Sequence, residues 1–135
     1  MSYPEVSFCT DGLEKDLPMV NLDKERMNRV FTNLISNAVA AFEKEMPGRV
    51  EFRTYKMNPY NMVRIEVADN GSGIPDKLKK QVLEPYFSTK KEGTGLGLAI
   101  VNQVITDHGG YLRILDNEPG GTVMTIELPL NTNDA

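Results

Sequence analysis

The sequence predicts a two-layer α/β (α+β) sandwich, in which helices cover one face of a mixed and mostly antiparallel sheet. Two observations lead to this fold class: a long amphipathic helical segment follows Asp23, and two later stretches have the pattern of β-hairpins. The 135 residues suffice for one hydrophobic core and leave little room for a second. We therefore expect one domain over residues 1–135, built in the order strand, long helix, hairpin, loop with a short helix, helix and hairpin.

The first two elements follow from local patterns. Residues 5–10 alternate weakly and predict a strand. Asp23 is a good N-cap, because its carboxylate can accept a hydrogen bond from a free N–H of the first helical turn. Apolar residues then recur at steps of three or four and share one helix face, and the helix should end near Met46, before a Pro-Gly pair. The apolar residues of this face are Met27, Phe31, Leu34, Ala38 and Phe42.

The rest of the chain predicts two hairpins with a glycine-rich region and a helix between them. The hairpin strands are expected at 50–56, 62–68, 111–115 and 122–128. The helix between the hairpins is expected at 96–107, closed by Gly109-Gly110. The remaining segments are expected to be loops at 57–61, 69–75 and 85–94, a short helix with exposed lysines at 76–84, and a frayed tail at 131–135.

The composition limits the kinds of site that the chain can build. With 15 basic and 19 acidic residues its formal net charge is −4, which disfavours general nucleic-acid binding because that needs a basic face. Any phosphate site must then be local and built from backbone amides, a metal ion and a few lysines. The single cysteine, Cys9, excludes an internal disulfide, and no apolar run approaches the roughly 20 residues of a membrane helix. We therefore expect a cytoplasmic domain, even if the parent protein is anchored in a membrane.

Asn33 and Asn37 form the first chemically suggestive motif. They lie four residues apart, so on a helix they share one face, which flanks the apolar face. An asparagine carbonyl oxygen is a reasonable ligand for Mg²⁺ that is already bound to phosphates. The alternative is a pair of capping or network asparagines, because amides at the edge of a core need hydrogen-bond partners.

The segment Asp69-Asn70-Gly71-Ser72-Gly73 follows the predicted second strand of the first hairpin. A carboxylate at a strand end can accept a hydrogen bond from an exocyclic amine such as adenine N6, and the glycines let a ligand approach the backbone. The alternative is an ordinary turn, because Asn-Gly is a common hairpin signal.

Three glycines, Gly93, Gly95 and Gly97, lie at the start of the predicted helix 96–107. Such a loop can wrap a phosphate, and the helix N-terminus that follows offers free N–H groups and a positive dipole end. The spacing and the lack of a preceding strand disfavour a dinucleotide fold, and the Gly-Lys-Ser/Thr of a P-loop is missing. The alternative is a flexible hinge before a helix.

A fourth motif, Tyr86-Phe87-Ser88-Thr89-Lys90-Lys91, comes just before those glycines. Its aromatic residues can anchor a mobile loop, and either lysine can contact a terminal phosphate. The alternative is that both lysines are simply solvated. Three lysines of the preceding short helix are expected to form a solvated face: Lys77, Lys79 and Lys80.

Together, the four segments resemble the N box, first glycine box, F box and second glycine box of the histidine kinase ATPase superfamily. That superfamily also includes gyrase, a heat-shock chaperone and the MutL mismatch-repair proteins. The segments occur in the family's order, and the resemblance covers nearly the whole chain. Residues 84–90 are in addition similar to nitrogen-regulation-type kinases. The resemblance implies a Bergerat-type sandwich with ATP bound between the long helix and the glycine loops.

The resemblance also implies a set of nucleotide contacts. Asn37 would bind Mg²⁺, Asp69 would accept the hydrogen bond of adenine N6, and Thr122 would support Asp69, directly or through water. Lys90 would contact a phosphate. The other nucleotide-binding residues that the resemblance implies are Gly71, Gly73, Phe87, Gly93, Thr94, Gly95, Leu96 and Gly97. Ala40 departs from the family, because many members carry a basic residue there.

The residue at position 33 distinguishes the branches of this superfamily. The gyrase-like and chaperone-like ATPases carry a glutamate there, four residues before the Mg²⁺-binding asparagine, and it activates water. Asn33 cannot act as a general base. The resemblance therefore implies a protein-histidine kinase, in which Asn33, Asn37 and Lys90 take part in phosphoryl transfer from ATP rather than in rapid hydrolysis.

The nucleophile of that reaction is expected elsewhere. His108 is the only histidine, and its position at a predicted helix end indicates a structural role. The phosphoacceptor histidine is expected on a helical dimerisation domain N-terminal to this chain, with a response regulator downstream and the parent protein a homodimer. The chain itself is expected to be a monomer without autophosphorylation. The alternatives are a free-standing serine kinase of the anti-sigma-factor type and an ATP-gated binding module without catalysis.

Overall fold

A computed structural model describes residues 6–13, 22–40, 42, 47–57, 61–84 and 97–130. These described residues form five strands and two helices, together with two short 3-10 turns. In chain order the strands and helices are β1 (Val6–Gly12), α1 (Lys24–Ala40), β2 (Gly48–Met57), β3 (Met62–Asp69), α2 (Gly97–Asp107), β4 (Tyr111–Asp116) and β5 (Thr122–Pro129). This is the predicted order of elements.

The five strands form one mixed sheet in the order β1-β2-β3-β5-β4. β1 runs parallel to β2, and the other three neighbouring pairs are antiparallel. The parallel pair is the one whose strands are joined by α1, because parallel neighbours need a long crossover connection. The predicted mixed, mostly antiparallel sheet is thus confirmed.

Both helices pack on the same face of the sheet. α1 buries Met27, Val30, Leu34 and Ala38, and α2 buries Val101, Val104 and Ile105. The sheet contributes Val50, Val67, Met124, Ile126 and Leu128 to this core. Met27, Leu34 and Ala38 are buried as predicted, whereas Phe31 is only partly buried and packs against the core, and Val30 is buried in addition. No helix among the described residues is long and apolar enough to cross a membrane.

Two predicted elements differ from the structure. Phe42 lies in a bend outside α1, so the helix does not continue as predicted to Met46. That bend packs the Phe42 ring on Gly48, where a Cβ would overlap it. Residues 76–84 form two 3-10 turns, Asp76–Leu78 and Gln81–Leu83, instead of one helix. The predicted loop 85–94 and the predicted tail 131–135 lie outside the described residues.

The two helices meet at one end of the helical layer, near the start of α1 and the end of α2. Asp23 caps α1, as predicted, by accepting a hydrogen bond from the Arg26 N–H at 3.2 Å. The Asp23 N–H in turn donates to His108 Nε2 at 3.0 Å, and His108 Nδ1–H donates to the Val104 carbonyl at 2.8 Å. His108 therefore has a structural role, because it links the end of α2 to the start of α1. Arg26 also pairs with Asp107 across the two helices.

Gly109 and Gly110 end α2 as predicted. Gly109 has a φ of 75°, its N–H donates to the Thr106 carbonyl, and the Gly110 N–H donates to the Ile105 carbonyl, both at 2.9 Å. These two bonds form a Schellman motif, which satisfies carbonyls that the last helical turn leaves free. The chain then enters β4 directly.

Candidate nucleotide-binding site

Asp69 is the last residue of β3 and is buried, with 4% of its surface exposed. It ends β3 directly opposite Val50, whose side chain is fully buried under the helices, so the Asp69 side chain also faces the helical layer. Its Oδ1 accepts hydrogen bonds from the Gly71 N–H at 2.9 Å and the Thr122 N–H at 3.2 Å. Two donors on one oxygen fix the plane of the carboxylate.

The turn between β4 and β5 holds the main chain of Asp69. Asn117 Nδ2–H donates to the Asp69 carbonyl at 2.8 Å, and the Asn117 N–H donates to the Gly121 carbonyl at 3.0 Å, which closes the turn. Gly121 has a φ of 106°, and a Cβ there would overlap the Asp69 carbonyl. A residue with a side chain is excluded by both conditions. The sequence predicts a turn here but gives no sign of the contact with Asp69.

Gly73 brings the first glycine segment against the same turn. It has a φ of 79°, and a Cβ on it would lie 3.4 Å from the Gly121 carbonyl oxygen. A polar cleft of about 470 Å³ lies between residues 72–76 and 116–121. Four residues that the sequence singles out are thus assembled around one strand end, namely Asp69, Gly71, Gly73 and Thr122. Thr122 contacts Asp69 directly through its backbone N–H.

Asn33 and Asn37 both lie partly buried on α1. Asn33 is next to Gly97, the first residue of α2, since a Cβ on Gly97 would lie 3.8 Å from Asn33 Cγ and Oδ1. The two segments that carry these residues are therefore in contact. Asn33 Nδ2 is buried and has no hydrogen-bond partner among the described residues. A buried donor in this state costs about 1–3 kcal/mol.

Six of the predicted site residues lie outside the described residues, so their positions stay predictions. They are Phe87, Lys90, Gly93, Thr94, Gly95 and Leu96. Within the described ranges, no group of three or more histidine, cysteine, aspartate or glutamate residues is arranged to hold a metal ion. A cation at Asn37 would therefore need other ligands, such as the phosphates of a nucleotide.

Lys79 is not the solvated lysine that the sequence predicts. Only 19% of its side chain is exposed, and its Nζ donates to Asp116 Oδ1 at 2.8 Å and to Asp76. The hydrogen bond to Asp116, followed by that to Asp76, raises the pKa of Lys79 above its ordinary value of 10.5. Lys79 therefore ties the first 3-10 turn to the end of β4, next to the cleft.

The arrangement of a mixed sheet, two helices on one face and a buried aspartate at the end of the central strand β3 defines an α/β ATPase domain. Residues 22–132 match the family described as histidine kinase-, DNA gyrase B- and HSP90-like ATPases, and the chain belongs to this family. Its relatives include sensor histidine kinases at 34% and 36% identity, and the chain is a histidine kinase-type ATP-binding catalytic domain.

Two relatives illustrate the match. The signal transduction histidine-protein kinase AtoS of Escherichia coli is 34% identical over 126 residues, which cover 93% of this chain and 20% of AtoS. The nitrogen regulation protein NtrY of Azorhizobium caulinodans is 33% identical over 133 residues, which cover 96% of this chain and 17% of NtrY. The chain thus spans about a fifth of the length of these relatives. Because kinases with other names match as well, the nitrogen-regulation type stays a prediction.

A solved structure agrees with the fold. The catalytic domain of the histidine kinase ThkA, in a nucleotide-free form, superposes with a TM-score of 0.80 at 34% identity. The match covers 93% of this chain and 79% of that domain. The predicted Bergerat-type sandwich is therefore confirmed.

Proposed function

We propose that this domain binds Mg-ATP and presents its γ-phosphate to a histidine on a separate helical domain of the same kinase. The observation that carries the proposal is the buried Asp69 carboxylate, held by two backbone amides at the end of β3. A carboxylate fixed in this way accepts a hydrogen bond from adenine N6 but offers no donor to the O6 of guanine. Asp69 would thus select the base, with Gly71 and Gly73 beside it and the Thr122 amide as its support.

The buried amide of Asn33 supports the phosphate end of the site. Its Nδ2 lacks an acceptor among the described residues, and it lies beside Gly97 at the start of α2. A phosphate oxygen in this position would satisfy the amide and the first free N–H groups of α2. We assign Phe87 to the lid and Gly93, Thr94, Gly95, Leu96 and Gly97 to the border of the triphosphate, with Lys90 as a further phosphate contact.

Asn37, one helical turn after Asn33, would contribute an amide oxygen to Mg²⁺. An amide oxygen is a fitting ligand for a magnesium ion that a nucleotide carries with it, because the phosphates and water supply the remaining ligands. When bound, the ion neutralises charge on the phosphates during transfer. The chain's own residues would then only bind, orient and exclude water.

The acceptor would come from outside this chain. Position 33 holds no carboxylate to activate water, and both ring nitrogens of His108 are engaged in hydrogen bonds, one with the Asp23 N–H before α1 and one with the Val104 carbonyl of α2. An imidazole nitrogen of another domain would attack the γ-phosphorus as the bond to the ADP oxygen breaks. The relative ThkA has been solved in complex with the response regulator TrrA, which supports a response regulator as the next partner. The relatives are sensor kinases, which favours histidine over serine as acceptor.

A transfer assay in trans tests this proposal. The chain is incubated with γ-labelled Mg-ATP and the dimerisation helices of its parent protein, and the labelled product is treated with acid. We expect an acid-labile phosphate on the helices, and much less of it with Asn37→Ala. Ser36→Ala, an exposed neighbour on α1, is the control and should behave as wild type. Acid-stable label would indicate a serine kinase, and bound ATP without any label would indicate a binding module.

A further inference from the structure

We propose that Asn117 is a positioning residue for base recognition, and that the turn of residues 117–121 thereby sets the preference for adenine over a 6-oxopurine. This inference rests on the proposed function, since it concerns the orientation of Asp69. Asn117 in the turn and Thr122 directly after it lie 48 and 53 positions from Asp69 in sequence, yet they contact its main chain and its side chain, respectively.

Asn117, directly after β4, and Thr122, the first residue of β5, hold Asp69 at two points. The Asn117 Nδ2–H binds its carbonyl at 2.8 Å, and the Thr122 N–H binds its Oδ1 at 3.2 Å. Both donors belong to one short stretch of chain, so they move together. The carbonyl contact fixes the backbone of Asp69, and the carboxylate contact fixes the side chain relative to that backbone.

The turn itself is held in place, which makes it a suitable support. The Asn117 N–H closes it on the Gly121 carbonyl, and Gly121 packs directly on the Asp69 carbonyl. At its first end, Asp116 is bonded to Lys79, which is mostly buried. Each of these contacts would be distorted if the turn shifted away from the strand end.

Removing the Asn117 amide would take away one of the hydrogen bonds that hold the main chain of Asp69 in place. The end of β3 would then be held less tightly against the turn, and a shift of the strand end would rotate the Asp69 carboxylate away from the Thr122 N–H. Among the described residues, the proposed phosphate contacts lie on α1 and at the start of α2, whereas the turn lies at the end of β3. Loss of the Asn117 amide should therefore weaken recognition of the base and leave binding of the triphosphate unchanged.

The test compares the affinity of the chain for ATP and for inosine triphosphate, which carries an oxygen in place of the N6 amine. We expect the wild type to prefer ATP. Asn117→Ala and Asn117→Asp should weaken ATP binding about tenfold, equivalent to about 1.4 kcal/mol, and should leave inosine triphosphate binding within about twofold. The matched control is Glu118→Gln, an exposed residue of the same turn, which should keep the wild-type ratio.

Three outcomes would count against the inference in different ways. Folded Asn117 variants that keep the wild-type ratio would overturn it and leave the proposed function intact. Equal weakening of both nucleotides, or loss of folding in both variants by thermal melting, would assign Asn117 to the fold instead. A wild-type chain that binds neither nucleotide, or both equally, would overturn the role of Asp69 itself.

Discussion

Gly121 lies so close to the main-chain carbonyl of Asp69 that no side chain fits between them. Its φ of 106° independently disfavours any other residue. Asp69 ends β3, and Gly121 comes directly before the neighbouring antiparallel strand β5, so the turn lies against the end of the central strand. The contact therefore links the geometry of the sheet directly to the candidate site.

Gly121→Ala should destabilise the domain and weaken nucleotide binding. The left-handed conformation costs an alanine about 1–2 kcal/mol, and the overlap with a buried strand end adds about 1–3 kcal/mol. A fall in Tm of about 10 °C is expected on thermal melting. Gly120→Ala is the matched control, since no atom of the described residues lies within 4 Å of its Cβ position. Equal melting temperatures for the two variants would contradict this account of the turn.

Asn33→Leu should stabilise the nucleotide-free domain while weakening its affinity for ATP. The substitution removes a buried amide without a described partner and keeps the shape of the side chain. We expect a gain of about 1 kcal/mol in the free energy of unfolding and a loss of about tenfold in ATP affinity. Chemical denaturation and calorimetry measure the two effects, with Ser36→Ala as control. A destabilised variant with normal ATP affinity would show that Asn33 serves the fold and not the ligand.

The wild-type chain should hydrolyse ATP very slowly, because position 33 carries an amide instead of a general base. Asn33→Glu should raise the rate if a water molecule fits beside the γ-phosphate. Release of inorganic phosphate, measured with Asn33→Gln as the isosteric control for glutamate, tests this. Rapid hydrolysis by the wild type would be inconsistent with a kinase that preserves ATP for transfer.

The pair of Arg26 and Asp107 should make stability depend on pH in the acid range. The hydrogen bond from Arg26, followed by that from Gln103, lowers the pKa of Asp107 below its ordinary value of 3.8. A lowered pKa in the folded state stabilises the domain above about pH 4, and this contribution is lost as the pH falls through the folded-state pKa. Asp107→Asn should therefore lower Tm at pH 7, and the difference from the wild type should shrink as the pH falls below about 4. Asp11→Asn, an exposed residue on β1, is the control. If the difference in Tm between Asp107→Asn and the wild type stays constant between pH 7 and the acid range, the ion pair of Arg26 and Asp107 is not its source.

Most of the fold could be predicted because its signals are local. The spacing of apolar residues along α1 and α2 and the turn residues between strands depend only on nearby sequence, and they gave the order and type of the elements. The exceptions are segments whose conformation depends on tertiary contacts. Phe42 leaves the helix to pack on Gly48, and Lys79 is drawn from solvent by Asp76 and Asp116.

The site was predictable only in its motif residues. Asp69, Gly71 and Gly73 lie within one short segment, so their proximity follows from the sequence, and the family resemblance adds Thr122. Asn117 could not be found, because an asparagine at the start of a turn is common and its partner is the carbonyl of a distant residue. The sequence draws attention to Asn33 because an asparagine cannot act as a general base. That its Nδ2 is buried and has no hydrogen-bond partner among the described residues is visible only in the structure.

The central claim, that Asp69 reads the adenine of a magnesium-bound ATP, is tested most directly by calorimetric titration with a non-hydrolysable ATP analogue. The titration is made with and without Mg²⁺, on the wild type and on Asp69→Asn. We predict saturable wild-type binding that tightens with Mg²⁺, and a loss of at least about tenfold in Asp69→Asn, because an amide cannot accept the backbone and base hydrogen bonds equally well. Unchanged affinity in a folded Asp69→Asn variant, or a folded wild type that does not bind, would contradict the claim.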